Sequence, residues 1–285
     1  MSAQILDGKL LAARLKERLA AEIKTLKDYS KDVPRIVSII VGNDPASFSY
    51  ATSQQKTAKE LGIHYELQTF KAEAPQEDVM SLIGDLNGYD HVHGIIVNKP
   101  LPSSMDFKTL INAIDANKDI EGMNLTNLGH LFLGDSRIFP CTPRAVLELL
   151  KSSRVNLKGK RAVVIGRSEI VGKPVSLLLL KEDMTVTICH SKTHDLPGMV
   201  ACADVVVAAL GKPLFVKGEW LKGGAIVIDV GINQVGDKIV GDVDFSSAKE
   251  KAAYISPVPG GVGPLTSVIL MNNALEAFKI QHKDL

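Results

Sequence analysis

The apolar run Val163-Val-Ile leads directly into Gly166-Arg-Ser-Glu-Ile-Val-Gly172-Lys-Pro, the pattern of a strand, a glycine turn and a helix start. Backbone amides at such a helix start can hold a pyrophosphate. Ser168 stands where the dinucleotide fingerprint has its middle glycine, so a tight structural turn is the competing reading. The next apolar run ends at Cys189-His-Ser-Lys-Thr, where this kind of fold reads the ribose, and it offers no Asp or Glu there. An acid at that place selects NAD, whereas Arg167, Ser191 and Lys192 suit a 2′-phosphate, so the predicted cofactor is NADP. Taken alone, Lys192 reads as a solvated surface charge.

A second segment with chemistry in it is Ser256-Pro-Val-Pro-Gly-Gly-Val-Gly-Pro-Leu-Thr266, with three prolines and three glycines. Proline fixes φ and glycine lets a flat ligand approach the main chain, so the segment reads as the wall of a binding site. Other reactive side chains carry less. His91 and His93 have no third ligand at diagnostic spacing, which points to strand-edge or loop roles and no metal. His190 reads as packing and Asp229 and Asp242 as turn or capping residues; the segment around Arg144 reads as helping the domain junction and the nicotinamide side, with an ion pair as the plainer alternative. Cys141, Cys189 and Cys202 form no Cys-x-x-Cys pair and suggest neither a disulfide framework nor zinc.

The elements that must position these residues alternate along the chain. Leucines and alanines at helical spacing fill 8–28, and the β-branched run Arg35–Val41 reads as a buried parallel strand. Gly42–Ser49 reads as a turn cluster, Tyr50–Leu61 as a helix ended by Gly62, Ile63–Thr69 as a strand, 77–87 as a helix and Val92–Val97 as a strand broken at Pro100. After Pro140 the alternation restarts, with Thr142 predicted to cap a helix whose first residue is Pro143. Strands at Arg161–Ile165, Thr185–Cys189, Val205–Ala209 and Ala225–Val230, with a helix at 172–181, predict a doubly wound parallel sheet. A last helix covers roughly Thr266–Ile280. The 285 residues, 45% hydrophobic and 23% charged with a formal net charge of +1, leave room for two domains and give no electrostatic footprint for nucleic acid or an anionic membrane. No apolar run reads as a signal peptide or a bilayer span, and a reducing cytoplasm fits.

The chain resembles the methylenetetrahydrofolate dehydrogenase/methenyltetrahydrofolate cyclohydrolase (FolD-type) family along essentially its whole length. The resemblance rests on Val41-Gly-Asn-Asp-Pro-Ala-Ser, Lys118-Asp-Ile-Glu-Gly, Pro140-Cys-Thr-Pro-Arg, the Gly166 turn, Ile228-Asp-Val-Gly-Ile-Asn, Gly241-Asp-Val and Pro257-Val-Pro-Gly-Gly-Val-Gly-Pro. It implies an α/β fold of two domains around a central cleft: a folate-binding catalytic domain over 1–139 plus 267–285, and a Rossmann-type NAD(P)-binding domain over 140–266. It also implies a homodimer acting on tetrahydrofolate derivatives in one-carbon metabolism. Gly166, Arg167, Ser168, Val171, Gly172, Ser191 and Ile232 would bind the cofactor, and Pro259, Gly260 and Gly261 would help bind the substrate.

The family site uses Tyr-x-x-x-Lys on a helix, a glutamine in Val-Gln-Leu-Pro-Leu-Pro and an aspartate in Lys-Asp-x-Asp-Gly. This chain keeps Tyr50 but carries Gln54, Asn98 and Glu121 at the other three positions. Tyr50, Asn98 and Glu121 are also the expected folate contacts. Position 54 lies about 40° from Tyr50 around a helix, while Lys56 lies about 120° away on the other side, so Lys56 reads as a surface lysine. Lys99, where the family has leucine, reaches the site only through irregular backbone before Pro100. Hydride transfer is chiefly a positioning problem, whereas hydrolysis must move protons, and Gln54 cannot titrate. The expected activity is therefore NADP-dependent oxidation of 5,10-methylenetetrahydrofolate with cyclohydrolase activity weak or absent. The alternatives are a fully bifunctional enzyme in which Lys99 or Glu121 has taken over, and a non-catalytic NADP- or folate-binding paralogue.

Overall fold

The computed structural model describes residues 2–30 and 32–282. In chain order the elements are β1 (Gln4–Ile5), α1 (Gly8–Ser30), β2 (Arg35–Val41), α2 (Pro45–Leu61), β3 (His64–Phe70), α3 (Gln76–Gly88), β4 (Gly94–Val97), α4 (Phe107–Ala113) and α5 (Leu125–Leu133). They continue with α6 (Cys141–Ser152), β5 (Arg161–Ile165), α7 (Gly172–Lys181), β6 (Thr185–Cys189), α8 (Leu196–Ala201), β7 (Val205–Ala208) and β8 (Ile226–Asp229). The last are β9 (Asn233–Val235), β10 (Lys238–Val240), α9 (Phe245–Lys251), β11 (Tyr254–Ile255) and α10 (Gly263–Gln281).

These elements form two compact units, one of Met1–Arg14 with Pro140–Thr266 and the other of Leu15–Phe139 with Ser267–Leu285. Residues 2–14 therefore belong with 140–266, whereas the expected boundary puts all of 1–139 in the other domain. The reason is strand pairing: β1 lies parallel to β11, Gln4 beside Tyr254 and Ile5 beside Ile255. A two-residue strand is too short to announce itself by alternation.

The nucleotide-type unit is built on a six-stranded sheet in the order β1-β11-β8-β7-β5-β6. Every pairing in it is parallel. β7 and β8 are buried at every residue, as expected of parallel strands covered on both faces. The order reverses beside β5, so the β5–α7 turn opens at the carboxyl end of the sheet, where α/β folds bind ligands. The helix after Pro140 starts at Cys141, earlier than predicted, and Thr142 is not its cap. The Arg144 amide already donates to the Pro140 carbonyl (3.0 Å), and the missing donor of Pro143 falls harmlessly in the first turn.

The other unit holds a three-stranded parallel sheet, β3-β2-β4. β2 is central, and Val37, Ile39 and Val41 pack with Ile83, Ile95 and Leu110 in its core. α2 starts at Pro45, within the stretch read as a turn cluster. Asp44 caps it, its carboxylate accepting from the Ser47 amide at 2.8 Å, and proline takes the first turn. Among the described residues, no helix is long and apolar enough to cross a membrane.

Candidate functional site

Four polar side chains converge between α2 and the three-stranded sheet. Ser38 is the one hydroxyl in a strand whose other buried residues are all apolar, and it is itself fully buried. A buried hydroxyl requires partners. Asn98, just past the end of β4, donates from Nδ2 to Ser38 Oγ at 2.7 Å and to the Ile39 carbonyl at 3.0 Å. Tyr65 on β3 is hydrogen-bonded to Ser38 and donates its hydroxyl to Gln54 Oε1 at 2.7 Å. Burial holds the Tyr65 hydroxyl well above the ordinary tyrosine range. Gln54 is fully buried on α2, and its Nε2 has no hydrogen-bond partner. Tyr50, one turn earlier, is 45% exposed, and Lys56 lies on the exposed side of the helix.

Glu121 and Lys99 supply the charge near this network. Burial, reinforced by Asp119 and opposed by Lys99, pushes the Glu121 carboxyl up to about 8. Lys99 is exposed, its Nζ lies 3.6 Å above the Phe107 ring centroid, and its bond to Pro100 is cis. Its carbonyl accepts from the Ser47 hydroxyl at 2.8 Å. The rest of the Lys118-Asp-Ile-Glu-Gly motif is scaffold. Buried Lys118 donates to the carbonyls of Leu86, Asn87 and Tyr89 at 2.8–2.9 Å and so closes the end of α3. Asp119 accepts from the Asn124 amide and Asn127 Nδ2, and burial raises its pKa.

The cofactor-type residues belong to the other unit. Gly166 has φ +134°, and a Cβ there would lie 2.2 Å from the Ala209 carbonyl oxygen. At Gly172 a Cβ would meet the Gly166 carbonyl oxygen at 2.2 Å. Both positions therefore admit only glycine. Ser168 Oγ accepts from the amides of Val171 (3.1 Å) and Gly172 (3.3 Å), so the serine in place of the fingerprint glycine organises the turn itself. Arg167, Ser191, Lys192 and Ile232 are exposed. His190 is a loop organiser and not only packing: its amide donates to Thr193 Oγ1, and its Nδ1 accepts from the Lys192 amide at 3.2 Å. Pro259, Gly260 and Gly261 also lie in this unit, where the Gly260 carbonyl accepts from the Gly8 amide at 2.9 Å.

The two aspartates read as turn residues tie the nearby loops together. Asp229 accepts from the amides of Gly231, Asp242 and Val243, each at 2.9 Å, and burial raises its pKa to about 6. Asp242 accepts from the amides of Leu210, Gly211 and Lys212 and from Asn233 Nδ2. Arg144 pairs with Glu148 at 2.7 Å. Cys141, Cys189 and Cys202 are all free thiols.

Asp32, His93 and His282 bring one ligand-type atom each within 4.8 Å of one another. The tautomer argues against a cation there. The Arg35 amide donates to His93 Nδ1 at 3.1 Å, which leaves the ring proton on Nε2 and no lone pair facing the group. The cluster is better described as packing, with His93 4.6 Å and His282 4.1 Å from the Phe278 ring, and burial drives the His93 pKa down to about 4. His91 stacks on Tyr89 outside the group.

Tyr65 and Ser38 escape a reading confined to motifs. The visible signal is Ser38 itself, a polar residue in an apolar run that must find a partner. Residues 6–121 match the family model described as tetrahydrofolate dehydrogenase/cyclohydrolase, catalytic domain, and residues 140–282 match that described as its NAD(P)-binding domain. The chain is 47% identical over 276 residues to a protein of Geobacter metallireducens named bifunctional protein FolD 2, covering 96% of each. The crystal structure of the bifunctional FolD methylenetetrahydrofolate dehydrogenase/cyclohydrolase of Campylobacter jejuni is similar with a TM-score of 0.95 at 40% identity, over 98% of this chain and 99% of that one. The Trypanosoma brucei FolD structure, described as complexed with NADP cofactor and inhibitor, has a TM-score of 0.94 at 38% identity and 99% coverage of both chains.

Proposed function

Because the chain belongs to the tetrahydrofolate dehydrogenase/cyclohydrolase family, we propose that it oxidises 5,10-methylenetetrahydrofolate with NADP and hydrolyses the methenyl product to 10-formyltetrahydrofolate. The bifunctional reading replaces weak or absent hydrolysis as the main one, since the similar proteins are named bifunctional. The observation that carries it is Glu121, a carboxyl poised at about 8 beside Lys99. Water addition to the methenyl carbon releases a proton, and a group titrating near neutrality serves that transfer best. Glu121 is assigned that role, and Lys99 holds part of its carboxylate form in place by charge. Tyr50, Asn98 and Gln54 position the folate.

The residues of the nucleotide-type unit fit NADP: Gly166 and Gly172 clear the main chain for a pyrophosphate, while Arg167 and Ser191 offer donors to a 2′-phosphate and the run 189–193 holds no acid to oppose them. When bound, that cofactor supplies the hydride acceptor. Arg167, Ser168, Val171, Ser191 and Ile232 are assigned to hold it, and Pro259, Gly260 and Gly261 to line the substrate.

A second reading, dehydrogenase alone, is favoured by Gln54, whose amide cannot move a proton. Incubation with methylenetetrahydrofolate and NADP, then with NAD, separates the two when reduced cofactor and methenyl product are followed against an enzyme-free control. Methenyl product lost faster than in the control supports hydrolysis. Loss at the control rate sinks it and leaves the dehydrogenase. No reduction with either cofactor sinks both.

A further inference from the structure

Gln54 and Asn98, which look like two independent changes in the sequence, are joined by hydrogen bonds. Both hydrogens of the Asn98 amide are used, on Ser38 Oγ and the Ile39 carbonyl, so the group that Asn98 can still offer is its Oδ1 acceptor. Ser38, having accepted from Asn98, has its hydroxyl proton for Tyr65, and Tyr65 has its own for Gln54 Oε1. All the donors point the same way, from Asn98 through Ser38 and Tyr65 to Gln54, an arrangement in which each bond polarises the next. At its far end the chain fixes which way round the Gln54 amide lies. Oε1 is engaged, and the Nε2 hydrogens remain as a buried donor pair without an acceptor. A fully buried amide donor left unmatched is costly, so a protein retains one where a ligand supplies the acceptor.

We propose that Tyr65 is the positioning residue of this site: through Ser38 and Tyr65 the amides of Asn98 and Gln54 are set as one unit, presenting an acceptor at 98 and an N–H donor at 54 to the reduced folate. The inference rests on the folate reading above and deepens it. Position 54 then serves the substrate as a neutral donor to one of its acceptor atoms, and no proton leaves it. The ligand chemistry implied is a heterocycle with both a donor and an acceptor on its edge, which a pterin has. The raised pKa of Tyr65 keeps its hydroxyl protonated, and therefore donating, throughout the pH range of an assay.

The test is a double-mutant cycle of Tyr65→Phe and Ser38→Ala, read as the KM values for methylenetetrahydrofolate and for NADP. Loss of one neutral hydrogen bond that orients a ligand group corresponds to a rise of roughly fivefold to tenfold in the folate KM. Each single variant is expected to show that rise with the NADP KM unchanged, and the double variant to be no worse than the worse single, because both break one chain. A general structural role would move both KM values together. An unchanged folate KM in Tyr65→Phe, equal rises for both ligands, or additive effects overturn the inference. Should Tyr65→Phe fail to fold, as judged by thermal unfolding, Ser38→Ala decides alone by the same readout. Absence of any methylenetetrahydrofolate-dependent NADP reduction by the unaltered protein overturns the folate reading and takes this one with it, whereas turnover with an unmoved KM overturns this one only.

Discussion

The nucleotide-type unit and the catalytic-type unit build their sites from different material. In the first, the decisive atoms are main chain: Gly166 and Gly172 bring backbone to within 2.2 Å of where a Cβ would stand, and Asp229 and Asp242 fasten loops through backbone amides. In the second, side chains hold one another, Asn98 to Ser38 to Tyr65 to Gln54. A site made of main chain tolerates a side-chain change that respects its turn, as Ser168 does. A site made of mutually bonded side chains changes as a set, so one position compared alone misleads. Gln54 by itself reads as the loss of a lysine; with Tyr65 beside it, it is an oriented donor.

Adding a single methyl group at Gly172 should break the first half of that comparison most severely. The atom it meets is a backbone oxygen, which cannot swing away, so the β5–α7 turn must move. Overpacking of this kind costs about 1–3 kcal/mol, and Gly172→Ala should weaken NADP binding by roughly fivefold to a hundredfold by calorimetric titration. Unaltered affinity would show that the turn is not held by close main-chain contact.

The corresponding challenge to the side-chain site is Glu121→Gln. It retains shape and hydrogen bonding but cannot titrate. Hydrolysis of the methenyl compound should fall by about a hundredfold, the lower range for loss of a general acid or base. In the unaltered protein the rate should rise with pH through about 8 as the carboxyl ionises, and that inflection should be missing in the variant. Lys99→Met should keep the inflection but move it upward, since Lys99 is the charge that opposes the burial of Glu121. A glutamine variant that hydrolyses at the normal rate would remove Glu121 from the chemistry.

What the sequence makes legible follows the same division. β2, β5, β6 and α7 stand where apolar runs and the glycine turn predict them, because long periodic segments and special backbone positions leave local marks. β1 has two residues and exists only through pairing with β11, some 250 positions away, which no local pattern encodes; β11, equally short, is held between β1 and β8. α2 was marked, by Asp44 and Pro45, yet its first turn reads as loop because the same residues also favour turns. At the positions proposed to act on the substrate the residue types are plain, but their meaning depends on Tyr65, which lies on another element and stands in no motif. The tautomer of His93 is equally invisible in sequence, since it is set by the Arg35 amide across the strand pair.

The smallest effect expected on activity is a drift of stability with pH, and it separates the units by their buried titrating groups. His93, in the catalytic-type unit, has its pKa lowered from 6.5 to about 4. Between those values the unfolded chain holds the proton and the folded chain does not, so stability falls as pH drops from 6.5 to 4. Asp229, in the other unit, is raised from 3.8 to about 6. There the folded chain holds the proton first, so its contribution to stability grows as pH drops from 6 to 3.8. Unfolding free energies of His93→Gln and Asp229→Asn relative to the unaltered protein should therefore drift in opposite senses across that range. The unaltered protein should lose ground to the histidine variant and gain it over the aspartate variant. Denaturant titrations at pH 7, 6, 5 and 4 measure both drifts, and two gaps moving in the same direction would mean that the buried charges of one unit are not arranged as described.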